Sequence, residues 1–326
     1  MASVLSNFCS IAKETTYGTA TTSSARAFEN KADTFQRDVE YIESVGMRKD
    51  MQTIRSDRHD TVSLGASGSV ELDVLNKGLG LLLQGSLGTS SGPTQQSATS
   101  AYLSTFESGA SDANVSYTVQ MGKTTSAGST QSFTYEGSVI TGWNISQDLG
   151  AATSMTFNFD CENEQNSTAL ATPSYPTAAD PFIYTMATME IDDSAVESFT
   201  SFSLDADLAL ATDRRFLKGS ATKSQPKRNG VPSYTGTITG EFADMSNYDR
   251  FVAGTAIKLE FICTGSTIES SEKYLFHVTM PKVVFTGSTP TVSLDSLGTI
   301  ELPFVALDDG SNACVKIEYK STDTSF

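Results

Sequence analysis

The stretch GSVELDVLNKGLGLLLQGSLG, residues 68–88, begins with strand-like alternation and continues as a short apolar segment with helical character. The stretch GTITGEFADMSNYDRFVAGTA, residues 236–256, has the same order of elements. Both begin with Gly, a hydroxyl residue and a β-branched residue, and in both the helical segment is closed by Gly, which commonly terminates helices. We predict helices over residues 72–85 and 243–254, and we expect Asp244 or Ser246 to cap the second.

Strand-like alternation of apolar and polar residues extends on both sides of these two stretches. One apolar and one polar face are typical of strands in antiparallel sheets that pack on a core. Ser, Gly, Asn and Asp clusters separate the runs, as hairpin turns require. The alternating apolar positions are Val70, Leu72, Val74, Met155, Phe157, Phe159, Phe202, Leu204, Ala206, Leu208, Leu210, Leu259, Phe261, Cys263, Phe276, Val278, Met280, Ile300, Leu302 and Phe304.

The order of these segments indicates an internal repeat, with an offset of roughly 150 to 170 residues. We therefore predict a mainly β fold of two tandem β-sandwich or barrel domains, each with one short helix. The first, with an N-terminal arm, takes residues 1–170, and the second takes residues 171–326. Residues 162–181 contain three prolines and many small polar residues, which favours a semi-extended linker at the joint.

The charge balance excludes some classes of function. The chain has 38 acidic and 22 basic residues, a formal net charge of −16. A net anion of this size does not wrap nucleic acid by neutralising phosphates, although it suits a conduit to which DNA should not adhere. The first residues contain no apolar core of signal-peptide length, and no run approaches a membrane span. We therefore expect no membrane association, and a protein that is made and folded in a cytoplasm.

Candidate catalytic and metal-binding residues are few. The four cysteines form no CxxC pair, and Cys161 and Cys263 continue strand alternation, so buried free thiols are favoured over a disulfide. The other candidates have structural interpretations: a loop His59, a strand-surface His277, turn acids and a core or interface tryptophan. We expect no enzyme activity, no metal and no cofactor. The turn acids are Asp192, Asp193, Asp308 and Asp309, and the tryptophan is Trp143.

Basic residues concentrate in two loops at equivalent positions of the repeat. Either these are solvated hairpin loops, or they reach onto the acidic surface of a neighbouring subunit in a head-to-tail stack. Residues 214–228 hold six cations and no acid. The candidate contact residues are Arg48, Lys49, Arg55, Arg58, Arg214, Arg215, Lys218, Lys227 and Arg228, with Lys223 in the same run.

Several segments resemble the tail tube, or major tail, proteins of long-tailed siphophages. The opening KETTYGTATTSS, residues 13–24, is similar to that family's start, although Thr16 stands where Gly is more usual. Residues 38–52 look like its first long strand and loop, and residues 66–88 resemble its strand-plus-helix element. Residues 197–210, 234–242 and 278–307 are similar to the closing strands. The likeness spans nearly the whole chain and rests on the order of these segments.

The resemblance implies a structural virion protein that polymerises into stacked rings, the tail tube through which DNA is ejected into the host. It implies a ring of three chains with pseudo-sixfold symmetry, or alternatively of six chains. Basic loops and the N-terminal arm would bridge rings, and tape-measure, tail terminator and baseplate proteins would be partners. Genomic DNA would pass an acidic lumen without specific binding. The candidate lumen residues are Asp38, Glu40, Glu71, Asp73, Asp205, Asp207 and Glu241.

Two other classes of protein remain open on the sequence. A tail terminator or head decoration protein would share the composition without needing an internal repeat. A carbohydrate-binding or hydrolytic β-sandwich module would use residues such as Trp143 or Asp192, and glycan binding or hydrolysis that depends on them would distinguish it.

Overall fold

The protein is a mainly β structure with two short α-helices, described from a computed structural model. The structure describes residues 6–50, 53–109, 115–287, 289–294 and 296–326. The strands before residue 170 are β1 Phe8–Lys13, β2 Arg26–Phe28, β3 Asn30–Asp33, β4 Gln36–Glu43, β5 His59–Asp73, β6 Gly88–Gln95, β7 Tyr102–Ser108, β8 Tyr117–Thr124, β9 Thr130–Asp148, β10 Ser154–Cys161 and β11 Asn163–Gln165.

The strands after residue 170 are β12 Ala187–Ile191, β13 Ser194–Ala195, β14 Phe199–Asp207, β15 Leu210–Ala211, β16 Lys227–Arg228, β17 Ser233–Glu241, β18 Ile257–Glu269, β19 Glu272–Phe285, β20 Thr291–Ser293, β21 Ser296–Ala306 and β22 Lys316–Ser321. The helices are α1 Gly80–Leu87 and α2 Ser246–Ala253. Two 3₁₀ turns cover Ser56–Arg58 and Tyr184–Met186.

One order of strand pairing occurs twice along the chain. The first series is β4–β5–β10–β9–β8–β1, and every pair in it is antiparallel. The second series is β14–β17–β21–β19–β18–β12, again antiparallel throughout. A helix follows the second strand of each series along the chain, α1 after β5 and α2 after β17, as a duplicated unit requires.

Two strand pairings connect the first half of the chain to the second, and the first of them joins the two series into one extended sheet. The final part of β9 pairs with β14, where Ile145 lies opposite Leu204. The carboxy-terminal strand β22 pairs with β7, where Ile317 lies opposite Phe106. Both pairings connect residues on opposite sides of the predicted domain boundary at residue 170, so the halves share backbone hydrogen bonds as well as packed side chains.

The core consists of the alternating apolar side chains that the sequence pattern singles out. Each of those positions is buried except Leu210, which is half-buried. Aromatic rings connect strands of the second series: the Phe202 ring lies 4.8 Å from that of Phe261 and 6.2 Å from that of Phe304, stacked in both cases. Such pairs contribute about 0.5–1.5 kcal/mol each beyond the burial of their apolar area.

The helix predictions were right in type and partly wrong in extent. Residues up to Asp73 belong to β5, and α1 begins only at Gly80, because the alternation of Val70 and Leu72 continues the strand. The helix passes Gly85 and ends at Gly88, which has a φ of 89°. Gly85 is needed within the helix because a Cβ there would lie 2.5 Å from the Tyr117 hydroxyl.

The second helix follows the sequence pattern closely. Asp244 Oδ1 accepts a hydrogen bond of 2.8 Å from the Ser246 backbone N–H, which caps the start of α2 as expected. Gly254 ends the helix in the left-handed conformation, with a φ of 60°, as glycine at this position commonly does.

The N-terminal segment differs from a free arm over its described part. β1 pairs with both β8 and β2, and Cys9, Ile11 and Ala12 are at most 1% exposed. A strand so fully buried is part of the core, so removing it will disturb the fold itself. Residues 8–13 therefore belong to the folded core and not to an arm that is free to bridge rings.

Candidate assembly surfaces

The seven acids predicted to line a lumen lie on one face of the extended sheet. Residues opposite each other in an antiparallel register point to the same face. One such row runs across five strands, through Glu71, Thr156, Asn144, Asp205 and Thr235. The alternation along β4, β5, β14 and β17 places the other five acids on this same side. They are Asp38, Glu40, Asp73, Asp207 and Glu241.

This face is anionic and rich in hydroxyl and amide groups. The Asn144 side chain donates a 2.8 Å hydrogen bond to Asp205, and Ser67 donates one of 3.1 Å to Asp38. Asp73 is half-buried and forms an ion pair of 2.6 Å with Lys31. An anionic surface of this kind repels phosphate groups while remaining well hydrated. The uncharged polar residues of the face include Ser69, Ser146, Asn158, Ser203, Thr237 and Thr239.

The basic loop between β4 and β5, residues 44–58, extends into solvent over its described part. Arg48, Lys49 and Arg58 are exposed. Arg55 donates two hydrogen bonds, of 2.7 and 2.6 Å, to the Asp57 carboxylate, and this contact lowers the pKa of Asp57. Arg48, Lys49 and Arg58 therefore present most of the positive charge of this loop to solvent.

The basic loop of residues 208–232 instead folds back onto its own chain. Arg214 donates to the Gln225 carbonyl at 2.6 Å, and Arg228 donates to the Gly109 carbonyl at 2.8 Å. Arg215 donates to the carbonyls of Leu64 and Ala221, and Lys218 donates to the Lys223 carbonyl. Lys227 is exposed. These arginines hold the loop in place, so their replacement will affect stability as well as any contact with a neighbour.

Lys223 anchors this loop, a structural role that the sequence pattern could not distinguish from that of its exposed neighbours. Its Nζ forms an ion pair with Asp160 of β10, and both side chains are less than a tenth exposed. Thr222 donates a 2.8 Å hydrogen bond to Glu162 beside it. Burial raises the pKa of Asp160, and the contact with Lys223 opposes that rise. The second loop thus docks on the first strand series through a desolvated pair of charges.

The two strands that meet in the joint between β9 and β14 each have an equivalent in the other series. Those equivalents do not pair with each other within the described chain. β3 and β4 occupy in the first series the position that β14 occupies in the second. Gln36 of β4 pairs with Ser67, and Asp205 of β14 pairs with Thr235. Ser67 and Thr235 are each followed by a glycine, Gly68 and Gly236. Residues 286–287 and 289–294 occupy the position of the end of β9. Among the described residues, β3 and β4 pair with β5 alone, and β20 pairs with β21 alone.

Two equivalent glycines show the difference between the edge of β9, which β14 occupies, and the equivalent edge after β19, which is open. Ile140 precedes Thr141 and Gly142, as Phe285 precedes Thr286 and Gly287. A Cβ on Gly142 would lie 2.6 Å from the Ala206 carbonyl oxygen of β14. A Cβ on Gly287 would meet no described atom within 4 Å. The edge at Gly287 therefore has room for a strand that this chain does not itself supply.

The remaining candidates for chemistry have structural roles. Trp143 is 1% exposed and donates a 3.0 Å hydrogen bond to the Ser86 carbonyl. His59 is half-exposed and lies 3.4 Å from Glu43. His277 contacts Glu260 at 3.0 Å and Glu318 at 3.3 Å on the polar side of β19. The alternation of β19 predicted the position of His277 on this side but not its two carboxylate partners on β18 and β22.

The turn acids and cysteines also have structural roles. Asp192 and Asp193 form a turn with positive φ and pair with Arg250 and Lys258. Asp308 and Asp309 accept backbone N–H bonds within their own turn. All four cysteines are free thiols, and burial raises the pKa of Cys161 and of Cys263 to about 12. Thiols with such a pKa stay protonated at neutral pH.

The described part of the chain holds no group of three or more His, Cys, Asp or Glu residues placed to bind a metal ion. No helix in that part is long and apolar enough to cross a membrane.

A search of curated proteins found no match. The family model described as phage tail tube protein matches residues 7–306, nearly the whole chain. The chain therefore belongs to the phage tail tube protein family, and its role is that of a structural component of the virion tail.

Proposed function

We propose that this protein polymerises head to tail into rings, and that these rings stack to form the tube through which DNA leaves the virion. The observation that carries this proposal is the joint between β9 and β14 within the chain. The equivalent edges, β3–β4 at one end of the repeat and residues 286–287 and 289–294 at the other, have no such partner in the described chain. Exposed strand edges with complementary shapes favour pairing between copies.

The repeat bears on the number of chains that we propose for the ring. If the in-chain joint and the joint between chains are equivalent, each chain supplies two of the units around the ring. Three chains then give six units with pseudo-sixfold symmetry, which is the arrangement that we favour. A ring of six chains would hold twelve units and is the alternative.

The anionic polar face is proposed to form the wall of the lumen. Asp38, Glu40, Glu71, Asp73, Asp205, Asp207 and Glu241 would then repel the DNA backbone, so that genomic DNA passes without specific binding. The cations of the first loop, with Lys227, are proposed to contact the next ring. Tape-measure, tail terminator and baseplate proteins are the expected partners, and assembly would take place in the host cytoplasm.

Electron microscopy of the purified protein tests this proposal directly. Concentrated protein is expected to form tubes, and their rotational symmetry would distinguish three from six chains per ring. Protein that stays monomeric at high concentration, and that is missing from virions, would overturn the proposal. Isolated rings without stacking would instead favour a tail terminator or decoration protein.

A further inference from the structure

The two helices occupy equivalent places in the two strand series but differ in burial. Seven of the eight residues of α1 are buried. None of the eight residues of α2 is buried, although the structure describes all of them. Val252 on this helix is 64% exposed, and Met245 immediately before it is 49% exposed. By the alignment of Gly88 with Gly254, the counterparts of Val252 and Met245 are Ser86 and Leu79, which are 0% and 2% exposed. This end of α2 is therefore uncovered where the equivalent end of α1 is covered.

Part of what covers α1 comes from the other half of the chain. Leu208 and Leu210, from the segment that follows β14, line a small cavity together with Leu87 at the end of α1. Pro226, from the returning arm of the same loop, lines that cavity as well. The Leu208 backbone N–H donates a 3.0 Å hydrogen bond to the Thr141 carbonyl, which continues the pairing of β14 with β9. The covering segment is thus an extension of the in-chain joint.

The equivalent segment in the first half of the chain has exposed apolar side chains. Gln36 of β4 and Asp205 of β14 are equivalent positions. Tyr41 and Leu210 each lie five residues further along, so Tyr41 is the counterpart of Leu210. Tyr41 is 56% exposed and Ile42 is 52% exposed, at the end of the β4–β5 hairpin. The helix-ending glycines, Gly88 and Gly254, align Leu87 with Ala253. Both sides of the covered contact at α1 therefore have uncovered counterparts elsewhere on the molecule.

We infer that the C-terminal end of α2 is the docking surface for the β4–β5 hairpin of a second copy of this chain. Tyr41 and Ile42 of that copy would cover Val252 and Ala253, with Tyr41 taking the place beside Ala253 that Leu210 takes beside Leu87 within one chain. This contact would lie within a ring, beside the strand joint at Gly287, and would make the α2 surface and the strand edge parts of one interface. The inference rests on the proposed head-to-tail assembly and names the surface that the neighbour occupies.

Hydrogen exchange of the unassembled and assembled wild-type protein tests the inference without a substitution. Backbone amides of α2 are expected to exchange about tenfold more slowly after assembly, whereas those of α1 are expected to change little. Tubes in which α2 exchanges at its unassembled rate would overturn the inference and leave the proposed function intact. Failure to assemble at all would overturn both.

A disulfide cross-link between copies provides the second test, in a Cys314→Ser background. The double variant Tyr41→Cys, Ala253→Cys is expected to give covalent multimers on oxidation that reducing agent reverses. The two single variants are the matched controls and are expected to remain monomeric on denaturing gels. Assembled double variant that does not cross-link, or single variants that cross-link alone, would overturn the inference, while the presence of tubes in the same sample would still support the proposed function.

Discussion

Lys223 and Asp160 form an ion pair whose side chains are both less than a tenth exposed, although they belong to opposite halves of the chain. Removing one partner of a buried pair leaves the other charge without compensation, which costs about 3–5 kcal/mol. We predict that Lys223→Met lowers the free energy of unfolding by about that amount in urea denaturation. The double variant Lys223→Met, Asp160→Leu should recover most of the loss. Equal destabilisation in the single and double variants would contradict the importance of the unpaired charge.

The equivalent glycines at the two edges should respond differently to substitution. Gly142→Ala places a methyl group against the Ala206 carbonyl oxygen, and overpacking of this kind costs about 1–3 kcal/mol of stability. Gly287→Ala has room in the single chain and should leave the unfolding transition unchanged. If a neighbouring strand lies against this edge, Gly287→Ala and the bulkier Gly287→Val should lower tube yield in sedimentation assays. Normal tube yield from Gly287→Val would show that this edge is not the joint between chains.

The exposed cations of the first loop should act on assembly and not on folding. The triple variant Arg48→Ser, Lys49→Ser, Arg58→Ser is expected to change the free energy of unfolding by no more than about 0.5 kcal/mol, because these side chains are exposed. Its tubes should form less readily, and their formation should depend less on salt, since screening no longer weakens the contact. Light scattering across a salt series measures this.

A triple variant with the same change in charge, Lys13→Ser, Lys77→Ser, Lys273→Ser, is the control for the loop variant. Its tube formation should follow that of the wild type at every salt concentration. An equal loss of tubes in both variants would attribute the effect to net charge and would remove the specific role of the loop.

The carboxylate of Glu318 should give the protein an acid-sensitive contribution to stability. A hydrogen bond from His277 and the charge of Lys316 lower the pKa of Glu318 from 4.5 to about 2. A lowered pKa stabilises the fold above pH 4.5, and that contribution is lost as the pH falls through about 2. Because Glu318 is partly exposed, solvent screening keeps this contribution well below the ~3 kcal/mol that the full shift would give. Glu318→Gln should therefore narrow the difference in unfolding free energy between pH 5 and pH 2.5, and an unchanged difference would contradict this assignment.

The first strand should be indispensable for folding. Deletion of residues 1–13 removes β1, its pairing with β8 and four buried side chains, so we expect loss of soluble protein or a fall of many degrees in Tm. Deletion of residues 2–6 leaves β1 in place and should preserve the unfolding transition. Circular dichroism of both variants on heating is the measurement, and a stable protein without residues 1–13 would contradict the structural role of β1.

The local pattern of the chain was sufficient to predict much of this fold. Strict alternation such as that of Phe202, Leu204 and Ala206 specifies a strand and its buried face, since successive side chains point to opposite sides. The repeat of that pattern around two glycine-terminated helices predicted that one series of elements occurs twice. Residues 72 and 73 at the end of β5 were mistaken for helix because short runs of apolar residues, such as Leu72, Val74 and Leu75, fit helical and strand spacing alike.

The contacts between distant residues depended on the tertiary structure. Nothing local distinguishes Lys223 from Lys227, yet one is buried against Asp160 and the other is exposed, because only the path of the loop decides which cation meets a carboxylate. Alternation likewise assigned Asp205 and Glu71 to polar faces, but only the joint between β9 and β14 makes those faces one surface. Sequence patterns repeat with the geometry of a single strand or helix, whereas pairing between strands depends on which edges the folded chain brings together.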